Sequence, residues 1–230
     1  MNAGNAVIEV LHSLADFLFP QECPGCGERR PGELVVCESC RVSLEKQATS
    51  YKTPPRRLDS VDDVIVLLPY DETCRALVHA LKYHGMPSAG LFFGGLLGDK
   101  FMNSYRADGD TVIVPVPLHP SRLRERGYNQ SERIACGMSS VTGFTVVEDA
   151  IERARSTPTQ TTLDEESRKR NVAGAFTSRE SGTIEGRTVL LVDDVLTTGS
   201  TISECAGVLK DCGASAVIAC VAATPDAGDD

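Results

Sequence analysis

Residues 189–201 place two adjacent carboxylates directly in front of a loop of small hydroxyl residues and one glycine. The four apolar residues that open the segment are typical of a short strand buried on both faces. Residues 202–209 then carry apolar side chains at helical spacing, and Cys212-Gly213 is typical of a helix end. The N–H groups of such a loop, at a helix N-terminus, can bind an anion, and the hydroxyls add donors.

The two carboxylates, Asp193 and Asp194, would repel a bare phosphate, so we expect them to serve another part of the same ligand. Ribose hydroxyls and a bound Mg²⁺ are the candidates. 5-Phosphoribosyl 1-pyrophosphate (PRPP) has a phosphate, a diol and a metal-chelating pyrophosphate, and it fits all of these features. The segment also resembles the PRPP-binding signature of type I phosphoribosyltransferases. An ordinary turn between strand and helix, or a receiver-type acidic pocket, would leave the hydroxyl run unexplained.

A second anion-binding segment follows the predicted strand 111–117. Three prolines fix φ and remove backbone donors where this strand ends, so the turn after it is rigid. Three arginines within five residues, at 122, 124 and 126, suit a polyanionic ligand. Alone they would be a charged loop, but together with residues 197–201 they form a candidate pyrophosphate clamp. Lys82, at the end of a predicted helix over 72–82, either complements the helix dipole or reaches a phosphate.

Residues 152–171 are polar and have too few apolar positions to belong to a core. A long polar segment inside a compact domain is usually functional or disordered. We interpret it as a mobile cover over the site. Its candidate ligand-facing residues are Arg153, Thr159, Gln160 and Arg168.

Four of the nine cysteines form two Cys-x-x-Cys pairs: Cys23, Cys26, Cys37 and Cys40. Two such pairs can supply four thiolates to one tetrahedral Zn²⁺, and four protein ligands leave no position for a catalytic water. We therefore expect structural zinc, which would supply the folding energy of a segment too short for its own core. A redox pair or unligated thiols are the alternative. An odd cysteine total in a reducing compartment argues against a disulfide framework.

Composition restricts the remaining possibilities. The net charge of −9 over 230 residues argues against nonspecific binding to nucleic acid or anionic membranes as the main activity. No apolar window is long enough to span a membrane, and the N-terminus lacks the basic region of a secretory signal. We therefore expect a cytoplasmic protein. Residues 6–19 predict an amphipathic helix that docks on its own domain.

The polar, double-proline segment 47–60 predicts a linker. We place an N-terminal helix and zinc ribbon at 1–50 and a second domain at 61–224. In the second domain, predicted strands alternate with predicted helices, which favours a mainly parallel α/β sheet with ligands at the carboxyl ends of its strands.

The motifs in their order resemble the ComF/GntX family of phosphoribosyltransferase-like proteins with an N-terminal zinc ribbon. The segments that carry this resemblance are the cysteine pairs, Leu81-Lys82-Tyr83, 114–120, 126–130, Thr159-Gln160, 168–171 and 192–201. The resemblance implies a type I phosphoribosyltransferase-like sheet with helices on both faces. Its implied catalytic pair, Asp193 and Asp194, would hold the ribose diol. The resemblance implies that Thr197, Thr198, Gly199, Ser200 and Thr201 bind the 5′-phosphate and that residues 116–120, with Val116 and Pro117, form the pyrophosphate loop. Arg122, Arg126 and Lys82 complete the candidate PRPP-binding residues.

Two functions remain open at this point. The first is a pentosyl transferase that binds PRPP with Mg²⁺ and releases pyrophosphate. The second is a non-catalytic adaptor that binds PRPP or a nucleotide as a signal and engages single-stranded DNA or a DNA-uptake ATPase through its zinc ribbon or basic face. Several family members are linked with DNA uptake in natural competence, and no stretch of this sequence indicates a base-recognition site. The long cover segment favours the transferase.

Overall fold

A computed structural model describes residues 21–30, 34–105, 110–154, 174–179 and 182–225. Its helices are α1 (Glu38–Ser50), α2 (Glu72–Tyr83), α3 (Pro87–Ser104), α4 (Pro120–Arg126), α5 (Gln130–Thr142) and α6 (Ser200–Asp211). Its strands are β1 (Asp63–Pro69), β2 (Thr111–Pro115), β3 (Thr145–Val146), β4 (Ile151–Arg153), β5 (Phe176–Ser178), β6 (Thr188–Val195) and β7 (Ala216–Thr224).

Five strands form one parallel sheet in the order β1-β7-β6-β2-β3. The buried strand β6 lies at its centre, with Pro115 of β2 opposite Val192 on one side and Val221 of β7 opposite Asp193 on the other. Since all five strands run in the same direction, their carboxyl ends lie along one edge, where open α/β sheets bind ligands. The separate pair β4–β5 is antiparallel.

Each face of the sheet has its own apolar layer. Side chains alternate along β6, so Leu190 packs with α1, α2, α3 and α5, while Leu191 packs with α6 and the β4–β5 pair. The parallel sheet with helices on both faces, predicted from the sequence, is confirmed.

Helices α3 and α5 approach each other at glycines. A Cβ built on Gly94 would lie 2.7 Å from the backbone nitrogen of Met138 and 2.8 Å from the Cα of Gly137, distances that real Cβ atoms do not reach. A Cβ on Gly137 would lie 2.9 Å from the Cα of Leu91. The close approach explains why a helix forms despite four glycines, since tertiary packing overrides low helix propensity. It also fixes where the N-terminus of α5 meets the sheet.

Helix α1 joins the cysteine-rich segment to the sheet. Lys100 of α3 donates to the carbonyls of Ala48 at 3.0 Å and Tyr51 at 2.7 Å, at the end of α1 where carbonyls lack helical partners. Gln47 donates to the Asp71 carboxylate at 2.9 Å. A cavity of about 700 Å³ lies beside these bonds, between α1, β1 and α3. The last turn of α1 is therefore held against α3 and the N-cap of α2.

Two elements differ from the sequence-based expectation. Helix α1 continues to Ser50, so only the later part of segment 47–60 is a linker. Residues 120–126, interpreted as a charged loop, form the short helix α4, because Pro120 presets the first helical φ and the His119 ring accepts from the Ser121 N–H. The predicted helix over 6–19 lies outside the described residues. None of the described helices is long and apolar enough to cross a membrane.

Candidate functional site

The ends of β2 and β6 bring the two predicted ligand segments side by side. The Val116 N–H donates to the Val192 carbonyl at 2.9 Å, so the turn after β2 continues directly beside the acidic end of β6. The Asn129 side chain donates to the Val116 carbonyl at 3.0 Å while it caps α5 by accepting from Ser131 N. Val116 is buried and Pro117 is half-buried. The turn after β2 is thus held to β6 through the Val116 N–H and to the N-cap of α5 through the Val116 carbonyl.

The two carboxylates of β6 have different partners. Asp193 Oδ1 accepts from the Ser131 hydroxyl and from the Asp194 N–H, each at 2.9 Å. Asp194 Oδ1 lies 2.7 Å from the ammonium of Lys82, on the last turn of α2. Lys82 lies in the last turn of α2 and Ser131 in the first turn of α5, two helices that pack on the same face of the sheet. The pair thus lies between two helices at the ligand edge.

Burial dominates the electrostatics of this pair. Loss of solvent and the neighbouring Asp194 charge raise the pKa of Asp193 to about 7, although the Ser131 and Asp194 N–H bonds and Lys82 oppose the shift. Burial alone would lower the pKa of Lys82, but the Asp194 carboxylate raises it above its ordinary value. Lys82 therefore stays charged at neutral pH, and Asp193 can exchange a proton near pH 7.

This shift predicts a pH-dependent stability of the protein in the absence of Mg²⁺ and PRPP. Because the native Asp193 holds a proton that the unfolded chain releases, stability falls as pH rises from about 4 to about 7. The Asp193→Asn variant has no titrating group at this position. The difference in free energy of unfolding, variant minus wild type, should therefore increase from about pH 4 to about pH 7 and stay constant at higher pH. Urea unfolding of both proteins at several pH values measures the difference. Parallel pH profiles would contradict the assignment.

Residues 197–201 comprise the end of the turn after β6 and the first two residues of α6. Gly199, at the N-cap of α6, has a φ of +83°, a conformation that glycine adopts without strain. The hydroxyls of Thr198 and Ser200 lie 3.0 Å apart. The Thr224 hydroxyl donates to the Leu196 carbonyl at 2.8 Å, which fixes the start of the turn to β7. The loop therefore has the small side chains and helix N-terminus that bind anions.

Three predicted cationic residues, Lys82, Arg122 and Arg126, line one cavity of about 320 Å³ together with Tyr83, Gly85 and Glu125. Arg122 forms an ion pair with Glu125 at 2.9 Å. Arg126 donates to the Gln130 side-chain oxygen, and its guanidinium carbon lies 5.7 Å from the Tyr83 ring centroid. The cavity gives a polyanion a positively charged wall.

Of the predicted cover residues, the structure describes only Arg153. Its guanidinium lies 5.4 Å from the ring centroid of Phe176, and burial lowers its pKa. It belongs to β4 rather than to an irregular cover. Thr159, Gln160 and Arg168 lie outside the described residues.

The four predicted zinc ligands converge. All four cysteine sulfurs lie within 4.8 Å of one another, and those of Cys26 and Cys37 are 3.4 Å apart. Sulfurs of a tetrahedral zinc site, with bonds of about 2.3 Å, are separated by about 3.8 Å. The Cys37 N–H donates to the Cys23 sulfur at 3.3 Å, and the bond with Ser39 is the main cause that lowers the Cys37 pKa to about 6. Burial raises the pKa of Cys40, so the fit to structural zinc rests on the convergence of the four sulfurs.

The first cysteine pair lies against the same helix that carries Lys82. A Cβ built on Gly25, inside the first cysteine pair, would lie 3.0 Å from the Thr73 methyl group and 3.6 Å from Leu77, both on α2. The cysteine pairs therefore pack on the first half of α2, and its last turn reaches Asp194.

Sequence reasoning missed two contributions to the site. The first is Ser131 of α5, whose hydroxyl donates to Asp193 Oδ1. Arg56, in the linker, donates to the Thr197 carbonyl. Its sequence signal was weak because Arg56 lies in a polar, proline-rich segment far from the other site residues in the chain.

Comparison with known families agrees with this architecture. Residues 131–229 match the Phosphoribosyl transferase domain, and residues 14–51 match the Double zinc ribbon domain. Together with the parallel sheet and the four converging cysteines, they define a phosphoribosyltransferase-like protein with an N-terminal double zinc ribbon.

Three relatives align with most of this chain. The DNA utilization protein YhgH of Escherichia coli K12 is 33% identical over 199 residues, which are 85% of this chain and 80% of that protein. Competence protein F of Haemophilus influenzae is 27% identical over 197 residues, 83% of this chain and 85% of that protein. Competence protein ComFC of Bacillus subtilis is 24% identical over 202 residues, 85% and 74% of the two chains. The chain belongs to the ComF family.

Among solved structures, a glutamine PRPP amidotransferase from Bacillus subtilis matches with a TM-score of 0.40 and 21% identity. The match covers 59% of this chain and 26% of that one. A hypoxanthine phosphoribosyltransferase from Staphylococcus aureus matches with a TM-score of 0.39 and 16% identity, covering 61% and 75% of the two chains.

Proposed function

We propose that the site at the carboxyl ends of β2 and β6 binds PRPP with Mg²⁺ and transfers its phosphoribosyl group to an acceptor. The observation that carries the proposal is the Asp194 carboxylate. Lys82 holds its Oδ1, whereas its Oδ2 is buried and has no hydrogen-bond partner among the described residues. Because a buried acceptor without a donor is costly, a ribose hydroxyl would satisfy it and gain affinity.

The remaining groups suit the other parts of PRPP. The loop 197–201 would bind the 5′-phosphate, and the acidic pair would bind the ribose diol. Val116 and Pro117, with Arg122 and Arg126, would face the pyrophosphate. Mg²⁺, carried in with the pyrophosphate, would neutralise charge on this leaving group.

In the transfer, the bond between the anomeric carbon and the pyrophosphate oxygen breaks, and its electron pair leaves with the pyrophosphate. Positive charge then builds on the ribose, and Asp193 and Asp194 would stabilise it electrostatically. The acceptor forms the new bond to the same carbon. Exclusion of water would prevent hydrolysis of the activated sugar. The residues proposed for this cover are Thr159, Gln160 and Arg168.

Calorimetric titration with Mg²⁺ and PRPP tests the binding. Asp193→Asn and Thr198→Val should each weaken PRPP about tenfold or more, since losing a hydrogen bond that involves a charged group costs roughly 1.5–3 kcal/mol. Asp211→Asn, an exposed carboxylate at the far end of α6, is the matched control and should bind like wild type. Wild-type protein that gives no heat with PRPP, but binds an unrelated nucleotide, would refute the proposal.

Pyrophosphate release from PRPP, measured with a panel of bases and nucleosides, separates catalysis from sensing. Release above the hydrolysis rate with one acceptor supports the transferase. Intact PRPP binding without such release would favour the adaptor, which uses PRPP or a nucleotide as a signal.

One observation favours a role with single-stranded DNA as the second candidate. Tyr83 is 65% exposed and lies beside Arg126 at the cationic cavity. In proteins that bind single-stranded nucleic acids, bases stack on exposed aromatic rings and phosphates form ion pairs with nearby arginines. The names of the relatives, which refer to DNA utilization and competence, point the same way. Affinity for single-stranded DNA measured against salt concentration tests it, because phosphate contacts make binding fall steeply with salt.

A further inference from the structure

The linker after α1 lies against the loop 197–201. Arg56 donates a guanidinium hydrogen bond to the Thr197 carbonyl. Leu58 covers Gly199 so closely that a Cβ built on this glycine would collide with its methyl group. The segment that connects the zinc ribbon to the sheet therefore forms one wall of the candidate phosphate loop.

This contact supplies a charge that the loop lacks. Residues 197–201 offer hydroxyls and backbone N–H groups but no cationic side chain. Lys82 is engaged by Asp194, and Arg122 and Arg126 line the cavity beside α4. A phosphate dianion is bound more strongly where a guanidinium adds charge-assisted hydrogen bonds to those of the backbone. Arg56 brings such a group to the loop.

We propose that Arg56 is a specificity residue for the 5′-phosphate of the ligand, so that the phosphate site is completed by the linker. This inference rests on the proposed function. One of the five N–H donors of Arg56 binds Thr197, and the planar fork of the guanidinium can direct another to a phosphate oxygen. Leu58 acts as a positioning residue, because its contact with Gly199 holds the loop in place beneath the arginine.

The linker is anchored on both sides of Arg56. Upstream, the Tyr51 carbonyl accepts from Lys100, and the Thr53 hydroxyl accepts from the Val66 N–H of β1 at 2.9 Å. Downstream, the Asp62 N–H donates to the Val217 carbonyl at 2.8 Å. Because little freedom remains to be lost when ligand binds, the entropic cost of using Arg56 is small.

Calorimetry with three ligands isolates the 5′-phosphate contact. The probes are Mg²⁺-PRPP, ribose 5-phosphate and Mg²⁺-pyrophosphate, each titrated into the full chain. Arg56→Ala should weaken PRPP and ribose 5-phosphate roughly tenfold or more and leave pyrophosphate unchanged, because pyrophosphate binds elsewhere in the site. Arg57→Ala, the exposed neighbouring arginine, is the matched control and should leave all three affinities unchanged.

The outcomes separate the inference from the function on which it rests. Wild-type affinity of Arg56→Ala for PRPP and ribose 5-phosphate would overturn the inference alone. Equal weakening of all three ligands would also overturn it, since Arg56 would then only hold the fold. Absence of PRPP binding to the wild-type protein would overturn the proposed function and this inference together.

Discussion

Cys37→Ser is expected to abolish zinc binding and to unfold the cysteine-rich segment. Cys37 is buried and its sulfur lies 3.4 Å from that of Cys26, so the substitution leaves three thiolates where a structural zinc site uses four protein ligands. Structural zinc contributes on the order of 10–16 kcal/mol of apparent binding free energy, which is far more than so short a segment can replace by packing. Metal analysis should give one zinc per wild-type chain and none in the variant.

Cys136→Ser is the matched control, because this half-buried cysteine of α5 lies outside the zinc site. It should retain one zinc per chain. If Cys37→Ser keeps its zinc, or if the wild-type cysteines titrate freely with a thiol reagent in the folded state, the structural zinc site is wrong.

Gly94→Ala should destabilise the protein by about 3 kcal/mol. The added methyl group would meet backbone atoms of α5, including the Met138 nitrogen at 2.7 Å, and backbone cannot move aside as a flexible side chain can. Overpacking of this kind costs about 1–3 kcal/mol and sometimes more, which exceeds the gain in helix propensity. Urea unfolding measures the change. Since α5 carries Ser131, ligand affinity should fall as well.

The adjacent Gly95→Ala provides the control on the same helix. Beyond its neighbours in α3, no atom of the described residues lies within 4 Å of a Cβ at this position, so the change should stabilise α3 by about 0.5–1 kcal/mol. Equal effects of the two substitutions would show that helix propensity, rather than the contact with α5, decides stability here.

The strands of the sheet could be predicted because each is a short apolar run bounded by turn residues. β6 and β7 are buried on both faces. Such strands are continuous apolar runs, which can be recognised in the sequence without knowing which strands they pair with. The β4–β5 pair was not predicted, since three-residue strands at 151–153 and 176–178 carry no clear period. Their pairing depends on contacts between positions far apart in the chain.

The candidate site was predictable where chemistry and spacing coincide, as in the acidic pair and in the two cysteine pairs. The ion pair of Lys82 with Asp194 was not predictable, because it depends on how α2 is placed over the sheet. The roles of the phosphate loop, the arginines and the cover residues stay predictions, as does the division of the chain into 1–50 and 61–224.

The strand order has a consequence for how the chain is made. β7 lies between β1 and β6, although it is the last of the sheet strands in the chain. Until residues 216–224 have been synthesised, β1 and β6 lack their shared neighbour, and the backbone N–H and C=O groups along those edges stay unpaired. Folding of the sheet must therefore wait for these residues and then close contacts of long sequence separation, which is slow. The zinc ligands, by contrast, lie within residues 23–40, so metal can be captured while the rest of the sheet is still being translated.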